Sequence, residues 1–312
     1  MTAILTAVLL ISTLALQAED AAPVPRIDGD WWTVAGDPDL GKFTTPKQQP
    51  VGFAIWPAED GTWQIWSSIR ATNCGGRTQL FYRWQGARIT DHDWEPMGIA
   101  MQADASFGET PGGLQAPHVI KVGKEYHMFY GDWENICLAK GADGKTFARQ
   151  LLPNGKSGVF TEGPDSGTRD VMVLRVGNLY HAYYTASVDK LGKDYVRTSK
   201  DLRNWSASRI VAAGGTVGSG PSSAECPFVY YHQASKYYYL FRTQRYADPP
   251  QTYVYASKNP MDFGVASDDR YMVGIMLVAA PELIEHEGQL YMAALLPTLK
   301  GIRIAKLKWA LK

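Results

Sequence analysis

The sequence has no excess of either charge, because 31 Lys and Arg side chains balance 31 Asp and Glu side chains in 312 residues. A chain without net charge produces no long-range field that would attract nucleic acid or an anionic membrane surface. Its length allows a sizeable buried core in one large domain or two smaller ones. The composition therefore argues against a polyanion as the partner and favours a neutral, bulky one.

Cysteine is scarce, with only Cys74, Cys137 and Cys226 in the chain. Three cysteines are too few for a disulfide framework and odd in number, so at least one stays unpaired. A Cys74–Cys137 bridge is one alternative for an exported protein, but three small buried residues are the favoured interpretation. There is no CxxC motif or Cys/His cluster at zinc spacing, and we expect neither a metal nor a cofactor.

The sequence contains one long hydrophobic run, from Ala3 to Leu16, followed by Gln17-Ala18. This arrangement predicts a secretory signal at residues 1–18, a linker at residues 19–30 and a secreted or periplasmic mature chain. No Lys or Arg precedes the run, which leaves a non-cleaved anchor as the alternative. Later segments fall short of the roughly 20 apolar residues of a membrane span, so we expect no span in the mature chain.

A pattern that occurs five times organises the rest of the chain. Each copy begins with a short apolar segment led by a proline position, followed by a polar turn and an aromatic-rich segment. The proline position lies at residues 50, 117, 171, 227 and 281, with Val in place of Pro at 171. A second marker, an aromatic residue after a polar turn, follows in phase at Trp94, Phe147, Trp205 and Phe263. Two independent markers with one period indicate a structural repeat.

Each repeat has room for four short strands, and no long segment has the 3.6-residue period of a helix. Strand-only repeats of roughly 40 to 50 residues or slightly more are typical of propeller blades around a central channel. The sequence therefore predicts an all-β, five-bladed β-propeller with four-stranded antiparallel blades over residues 31–312. A linear solenoid is the alternative. We expect instead that the segment around Trp31 pairs with the last blade and closes the ring, which removes an exposed edge.

The residues at or just before each proline position should meet at one mouth of the channel, because proline suits the first residue of a strand. Two of these residues, Asp170 and Glu225, are acidic and belong to adjacent blades. Cleavage of a glycosidic bond needs such a pair, one carboxyl to protonate the leaving oxygen and one to activate water or attack the anomeric carbon. Neighbouring carboxyls also separate each other's pKa values, which allows one site to hold an acid and a base.

Three short motifs lie in blades three and four: Thr168-Arg169-Asp170-Val171, Ala224-Glu225-Cys226-Pro227 and the Ser-Lys-Asp-Leu-x-x-Trp of residues 199–205. They resemble the Arg-Asp-Pro motif, the Glu-Cys or Glu-Gly-Pro motif and a recurrent strand-turn phrase of the five-bladed propeller glycoside hydrolases of families 43 and 32. The resemblance covers all five blades. It implies that Glu225 is the general acid and that Asp170 orients the acid or stabilises the transition state.

Blade one departs from the pattern that the resemblance implies. Those enzymes carry an Asp just before the first proline position, as base or nucleophile, and this chain has Gln49. An amide cannot accept a proton usefully near neutral pH. The base is then either Asp170 itself or a carboxylate from a loop that contains Asp37 and Asp39, if that loop folds over the mouth.

Further substrate-binding candidates follow from their places in the blades. Gln49 and His118 adjoin proline positions, Arg169 precedes Asp170, and Trp133 offers a stacking surface for a sugar. The complete set is Gln49, His118, Asp132, Trp133, Arg169 and Arg242. For His118, Asp132 and Arg242, a structural role is the alternative interpretation. Glu282 in blade five is the second choice for the acid.

These observations predict a monomeric glycoside hydrolase that acts on an oligo- or polysaccharide, binds no nucleic acid and needs no cofactor. A glycoside phosphorylase is the first alternative, since phosphate attacks without a base and Arg169, Arg242, Arg245 and His118 could clamp it. The second alternative is a propeller that binds sugar without turnover.

Overall fold

The computed structural model describes residues 21–311. The predicted signal segment at residues 1–18 lies outside this range. Within it the chain forms strands and four short 3₁₀ turns, at Gly41–Phe43, Ala105–Phe107, Val188–Lys190 and Gly215–Val217, and no α-helix. The described part of the chain contains no helix of the length and apolar character that a membrane crossing requires.

Five antiparallel sheets form the five blades, which confirms the predicted propeller. Blade one contains β2 (Gln49–Pro57), β3 (Trp63–Arg70), β4 (Leu80–Gly86) and β5 (Glu95–Met101). Blade two contains β6 (Gln115–Val122), β7 (Glu125–Gly131) and β8 (Ile136–Gly141), and its outer edge is shared by β9 (Ala148–Arg149) and β10 (Gly158–Phe160).

Blades three and four have four strands each. Blade three contains β11 (Arg169–Val176), β12 (Leu179–Ala186), β13 (Lys193–Ser199) and β14 (Arg209–Ala213). Blade four contains β15 (Glu225–His232), β16 (Tyr237–Arg245), β17 (Gln251–Ser257) and β18 (Met272–Met276). The inner strands thus begin close to the proline positions that define the repeat.

Blade five joins the two ends of the described chain. Its strands β19 (Glu282–His286), β20 (Gln289–Leu295) and β21 (Ile302–Ala310) are completed by β1 (Val24–Ala35), which pairs antiparallel with β21. This pairing confirms the predicted closure of the ring. Since β1 starts at Val24, residues 24–30 belong to the propeller and not to the linker expected at 19–30.

The core lies between the faces of neighbouring blades. Between blades one and two, for example, Trp56 and Trp66 pack with Tyr126 and Tyr130, and all four side chains are buried. Large aromatic side chains suit this space because each sheet presents one half-buried pleated face to the next. The three cysteines are unpaired, and Cys137 is buried in this same layer.

Candidate active site

A shared irregularity shapes the inner strands at one mouth of the channel. In blade three Arg169 pairs with Thr185 and Met172 with Tyr183, so one extra residue bulges out between them. The bulge places Asp170 at a φ of 55°, in the left-handed region that Asp tolerates better than most residues. The equivalent residues Ala116, Cys226 and Ala280 also have positive φ. In these four blades the positive φ therefore sets the direction of one side chain at the mouth.

In blade one, Gln49 was expected to occupy the position equivalent to Asp170. The structure places that position two residues later, at Val51. Pro50 pairs with Ile69 and Phe53 with Ser67, with the same offset as in blade three. Val51 is therefore the counterpart of Asp170, and Gly52 occupies the position of the other blades' prolines. A Cβ at Gly52 would lie 2.5 Å from the Cβ of Ala116, so close contact with blade two excludes any side chain there. Blade one thus offers an apolar side chain where the resemblance implies a carboxylate.

A cavity of about 300 Å³ opens at this mouth. Asp170 and Glu225 are the acidic residues among those that line it, all of them within the described range 21–311. Its other polar and aromatic lining residues are Arg70, Gln79, Gln115, Trp133, Arg169, Ser222 and Tyr246. The side-chain oxygen of Gln115 is buried without a hydrogen-bond partner in the protein, and it could accept a sugar hydroxyl. The cavity is therefore polar, with two acids on one side.

Glu225 is held by Arg169 across the gap between blades three and four. The Arg169 Nε donates to Glu225 Oε2 at 3.2 Å, and Nη2 donates to Oε1. Arg169 also donates to the carbonyl oxygens of Gly167 and Pro221. These hydrogen bonds hold the guanidinium against the Glu225 carboxylate. The structure thus brings these two predicted site residues together.

Asp170 is buried beside this ion pair. Its Oδ2 accepts a hydrogen bond from the backbone N–H of Cys226 at 3.0 Å and lies 4.0 Å from Arg169 Nε. Burial, followed by the negative charge of Glu225, raises the pKa of Asp170 from 3.8 to about 7, against the opposing effect of Arg169. A carboxyl with a pKa near neutrality can exchange a proton at the pH at which most enzymes work.

Trp133 lines the cavity, whereas its neighbour Asp132 does not. The Asp132 side chain accepts hydrogen bonds from the backbone N–H groups of Glu134 and Asn135, at 3.0 and 2.6 Å. This turn presents Trp133, whose φ is 84° and whose ring is covered by the Arg77 guanidinium at 4.6 Å. These hydrogen bonds favour the structural role that was the alternative interpretation of Asp132, which holds the turn that carries Trp133.

His118 lies inside the channel and does not line the cavity. Its ring is 6.5 Å from that of Phe228, and Nε2 lies 3.3 Å from the carbonyl oxygen of Val173. Burial lowers the pKa of His118 to about 4, so the ring is neutral at physiological pH. His118 thus contacts residues of blades three and four and is not among the residues that line the cavity, so its predicted ligand contact stays a prediction. Glu282 is at the equivalent place in blade five and lines an adjoining space of about 20 Å³, which shares Gly52, Ala116 and Asp170 with the cavity.

Arg242 forms a buried ion pair and takes no part in the cavity. Its Nε lies 3.3 Å from Asp194 Oδ2, and both side chains are at most 1% exposed. Burial raises the pKa of Asp194 to about 7, and the charge of Arg242 opposes this shift. Asp194 belongs to blade three and Arg242 to blade four, so the ion pair favours the structural role that was the alternative interpretation of Arg242. Arg245 donates to the carbonyl oxygen of Pro249 and does not line the cavity either.

The loop that contains Asp37 and Asp39 does not fold over the mouth. Asp37 pairs with Lys300 at 2.9 Å and accepts a hydrogen bond from Gln48. Asp39 accepts hydrogen bonds from the backbone N–H of Gly41 and the hydroxyl of Thr44. Both carboxylates therefore stabilise their own loop, and neither is among the residues that line the cavity.

Arg70 and Tyr246 are cavity residues that the sequence interpretation missed. Arg70, at the end of β3 in blade one, is equivalent to Asp132, which follows β7 in blade two. The repeat could therefore have predicted Arg70 as a residue of the mouth. Gln49 does not line the cavity, but its side-chain oxygen accepts hydrogen bonds from Arg70 Nε and Nη2 at 3.0 and 2.7 Å. Within residues 21–311, no group of three or more His, Cys, Asp or Glu side chains is arranged to hold a metal ion.

Three solved structures that are similar to this chain are named as glycoside hydrolases or as enzymes that act on glycosides. A thermostable family-43 glycoside hydrolase has a TM-score of 0.61 and 17% identity, covering 86% of this chain and 92% of its own. A Bacteroides thetaiotaomicron endo-1,4-β-xylanase has a TM-score of 0.61 and 16% identity, covering 85% and 95%. A Bombyx mori GH32 β-fructofuranosidase has a TM-score of 0.60 and 15% identity, covering 88% and 61%. The fold is thus the five-bladed propeller of families 43 and 32, as the motifs indicated.

Comparisons at the sequence level give no match. No protein-family profile matches the chain. No curated protein matches it either.

Proposed function

We propose that this protein cleaves glycosidic bonds of an oligo- or polysaccharide in the cavity at the channel mouth. The observation that carries the proposal is the meeting of Asp170 and Glu225, from adjacent blades, on a fold whose similar structures are glycosidases. Two carboxyl groups in one cavity are the chemical requirement for this reaction. Gln115, Trp133 and Tyr246 supply the polar and aromatic surfaces that a sugar ring needs.

In this proposal Glu225 protonates the leaving glycosidic oxygen. Asp170 is the other carboxyl group that lines the cavity, and a pKa near 7 suits a group that accepts a proton from the attacking water. Arg169 keeps Glu225 in place while the substrate binds. Val51 takes no part in proton transfer, since its side chain cannot ionise.

Phosphorolysis is the second candidate, and the apolar Val51 favours it. In phosphorolysis, an oxygen of phosphate attacks the anomeric carbon, the glycosidic C–O bond breaks, and the leaving oxygen takes the proton of Glu225. The products are a sugar phosphate and a shortened saccharide. No base is needed, which fits a site whose blade one lacks a carboxylate.

One assay separates these functions from sugar binding without turnover. The protein is incubated with xylo-oligosaccharides, fructosides and plant and algal oligosaccharides, each with and without inorganic phosphate. Products without phosphate support hydrolysis, and products that need phosphate support phosphorolysis. Binding without product in every case would contradict the proposal, and Glu225→Gln serves as the inactive control.

We also propose that the protein is exported, on the basis of the hydrophobic run and Gln17-Ala18. N-terminal sequencing of the protein recovered outside the cytoplasm should find a chain that begins near Glu19. An intact Met1 on exported protein would contradict this proposal.

A further inference from the structure

The cavity contains two arginines, and their charges are balanced differently. Arg169 makes a two-point ion pair with Glu225. Arg70 is partly buried, and within residues 21–311 it makes no ion pair. Its Nε and Nη2 both donate to the neutral amide oxygen of Gln49. The positive charge of Arg70 therefore remains without a compensating negative charge in the part of the chain that the structure describes.

Gln49 orients Arg70 without neutralising it. An amide oxygen that accepts two N–H groups fixes the plane of the guanidinium, as a carboxylate would, but it leaves the full charge on the arginine. A partly buried, uncompensated guanidinium is costly unless an anion pairs with it. Its planar fork matches a carboxylate or a phosphate, which can accept two parallel hydrogen bonds.

Arg70 and the acids occupy different sides of the mouth. Arg70 ends β3 in blade one, whereas Asp170 and Glu225 begin the inner strands of blades three and four, so a full blade separates them in either direction around the ring. Val51, in the inner strand β2 of blade one, is apolar and adds no carboxylate to the cavity that it shares with Arg70. The cavity thus has a cationic side and a side that carries the proton donor.

We propose that Arg70, oriented by Gln49, binds an oxyanion in this cavity, either the carboxylate of a uronic acid unit of the saccharide or free phosphate. This inference rests on the proposed function, because the anion would lie in the same cavity as the scissile bond. A sugar carboxylate would select acidic saccharides, and phosphate would be the attacking group of phosphorolysis. In both cases the ligand makes charge-assisted hydrogen bonds to Arg70.

Calorimetric titration tests the proposal without relying on turnover. The probes are glucuronate, glucose and inorganic phosphate, and glucose is the neutral match of glucuronate. We expect either glucuronate or phosphate to bind the wild-type protein at least about tenfold more tightly than glucose, as charge-assisted hydrogen bonds allow. Tighter binding of glucuronate identifies the carboxylate as the source, and tighter binding of phosphate identifies the free ion.

Two variants and a control decide whether Arg70 is responsible. Arg70→Met removes the charge, and Gln49→Glu keeps Arg70 but gives it a carboxylate partner, so both should lose the preference for the anion. Arg209→Met removes an exposed arginine of the outer strand β14 and should retain it. If Arg70→Met fails to fold in a circular dichroism melt, Gln49→Glu still gives the answer. Equal binding of anions and glucose by the wild type, or an unchanged preference in Gln49→Glu, would overturn the proposal.

The outcome is separable from that of the proposed function. Turnover of neutral oligosaccharides with no preference for anions would overturn the oxyanion site and leave glycosidic cleavage standing. Anion binding that depends on Arg70, with no turnover of any saccharide, would support the oxyanion site and contradict cleavage.

Discussion

Arg169 in blade three and Glu225 in blade four form an ion pair that joins two neighbouring inner strands at the channel mouth. Both side chains are largely buried, with exposed fractions of 12% and 13%. Because Arg169 is also bound to two backbone carbonyl groups, the carboxylate of Glu225 is fixed before any ligand arrives. Preorganisation of this kind reduces the cost of placing the Glu225 carboxyl group against a substrate.

Glu225→Gln should reduce turnover of a natural saccharide by on the order of 10²–10⁴-fold, because Gln retains the shape of the side chain but has no proton to donate. Ligand binding per folded molecule should change little, since the amide oxygen can still accept one of the two Arg169 hydrogen bonds. The measurement compares kcat for a natural substrate and for an aryl glycoside whose leaving group needs no proton. The aryl glycoside should lose much less activity.

The exposed Glu285, replaced by Gln, is a matched control for Glu225→Gln and should have wild-type kcat. If Glu225→Gln retains full activity on the natural substrate, the acid lies elsewhere. Glu282 would then be examined, although it lines the smaller space deeper in the channel.

Asp170→Asn should be as damaging to turnover as Glu225→Gln and should also make the protein more stable at high pH. The pKa of Asp170 is raised from 3.8 to about 7, first by burial and then by the charge of Glu225. Between these pH values the folded protein holds a proton that the unfolded chain releases, so wild-type stability falls as the pH rises towards 7. Asn cannot ionise, can accept the N–H of Cys226 and tolerates a positive φ.

We therefore expect the free energy of unfolding of Asp170→Asn to exceed that of the wild type above pH 7 by up to about 4 kcal/mol, the equivalent of a pKa raised from 3.8 to about 7. The difference should shrink towards zero near pH 4. Chemical denaturation at several pH values measures it. Asp37→Asn is the control for turnover and should cost less than about tenfold, because Asp37 pairs with Lys300 away from the cavity. A pH-independent difference in stability would contradict the assignment of the titration to Asp170.

The repeat in the sequence was sufficient to predict the architecture, because the proline position and the aromatic marker report backbone features that recur in every blade. Asp170 and Glu225 were found for the same reason, since they adjoin that position. Blade one was misread because Pro50 lies two residues before Gly52, which occupies the true position in the bulge. The close approach of Gly52 to Ala116 is a contact between blades, and no local pattern in the sequence reports it.

The side-chain directions at strand ends could not be predicted either. Asp132 and Arg242 were both expected at the mouth, but Asp132 caps a turn and Arg242 lies within β16 opposite Asp194. Asp194, the partner of Arg242, belongs to another blade and is distant in sequence. The residues around Arg242 therefore could not predict the ion pair. Arg70 was missed because blade one was out of register.

Arg242→Met should destabilise the fold by about 3–5 kcal/mol, because it leaves the buried carboxylate of Asp194 without its partner. The pKa of Asp194 is already raised to about 7 by burial, and loss of Arg242 should raise it further. The loss of stability should therefore be greater at pH 8 than at pH 5, where the variant can protonate Asp194. Denaturant titrations at both pH values measure this effect.

The double variant Arg242→Met with Asp194→Leu provides the control, since it removes both charges and should recover most of the stability. Ligand affinity per folded molecule should be unchanged in Arg242→Met. A stable Arg242→Met protein with weakened ligand binding would instead return Arg242 to the substrate site.

The last prediction concerns the missing carboxylate of blade one. Val51, and not Gln49, is the counterpart of Asp170 and lines the cavity. Asp170 serves as the base in this proposal because blade one has no carboxylate at position 51. Val51→Asp should then raise the rate of hydrolysis by about tenfold or more, within the range of a single proton-transfer group. Gln49→Asp should not raise it, because Gln49 does not line the cavity and its carboxylate would pair with Arg70. The measurement is kcat without phosphate, with a thermal melt of each variant to confirm folding.

A gain in kcat in Gln49→Asp but not in Val51→Asp would show that the assignment of equivalent positions in blade one is wrong. A gain in neither would show that the attacking group is not activated from blade one.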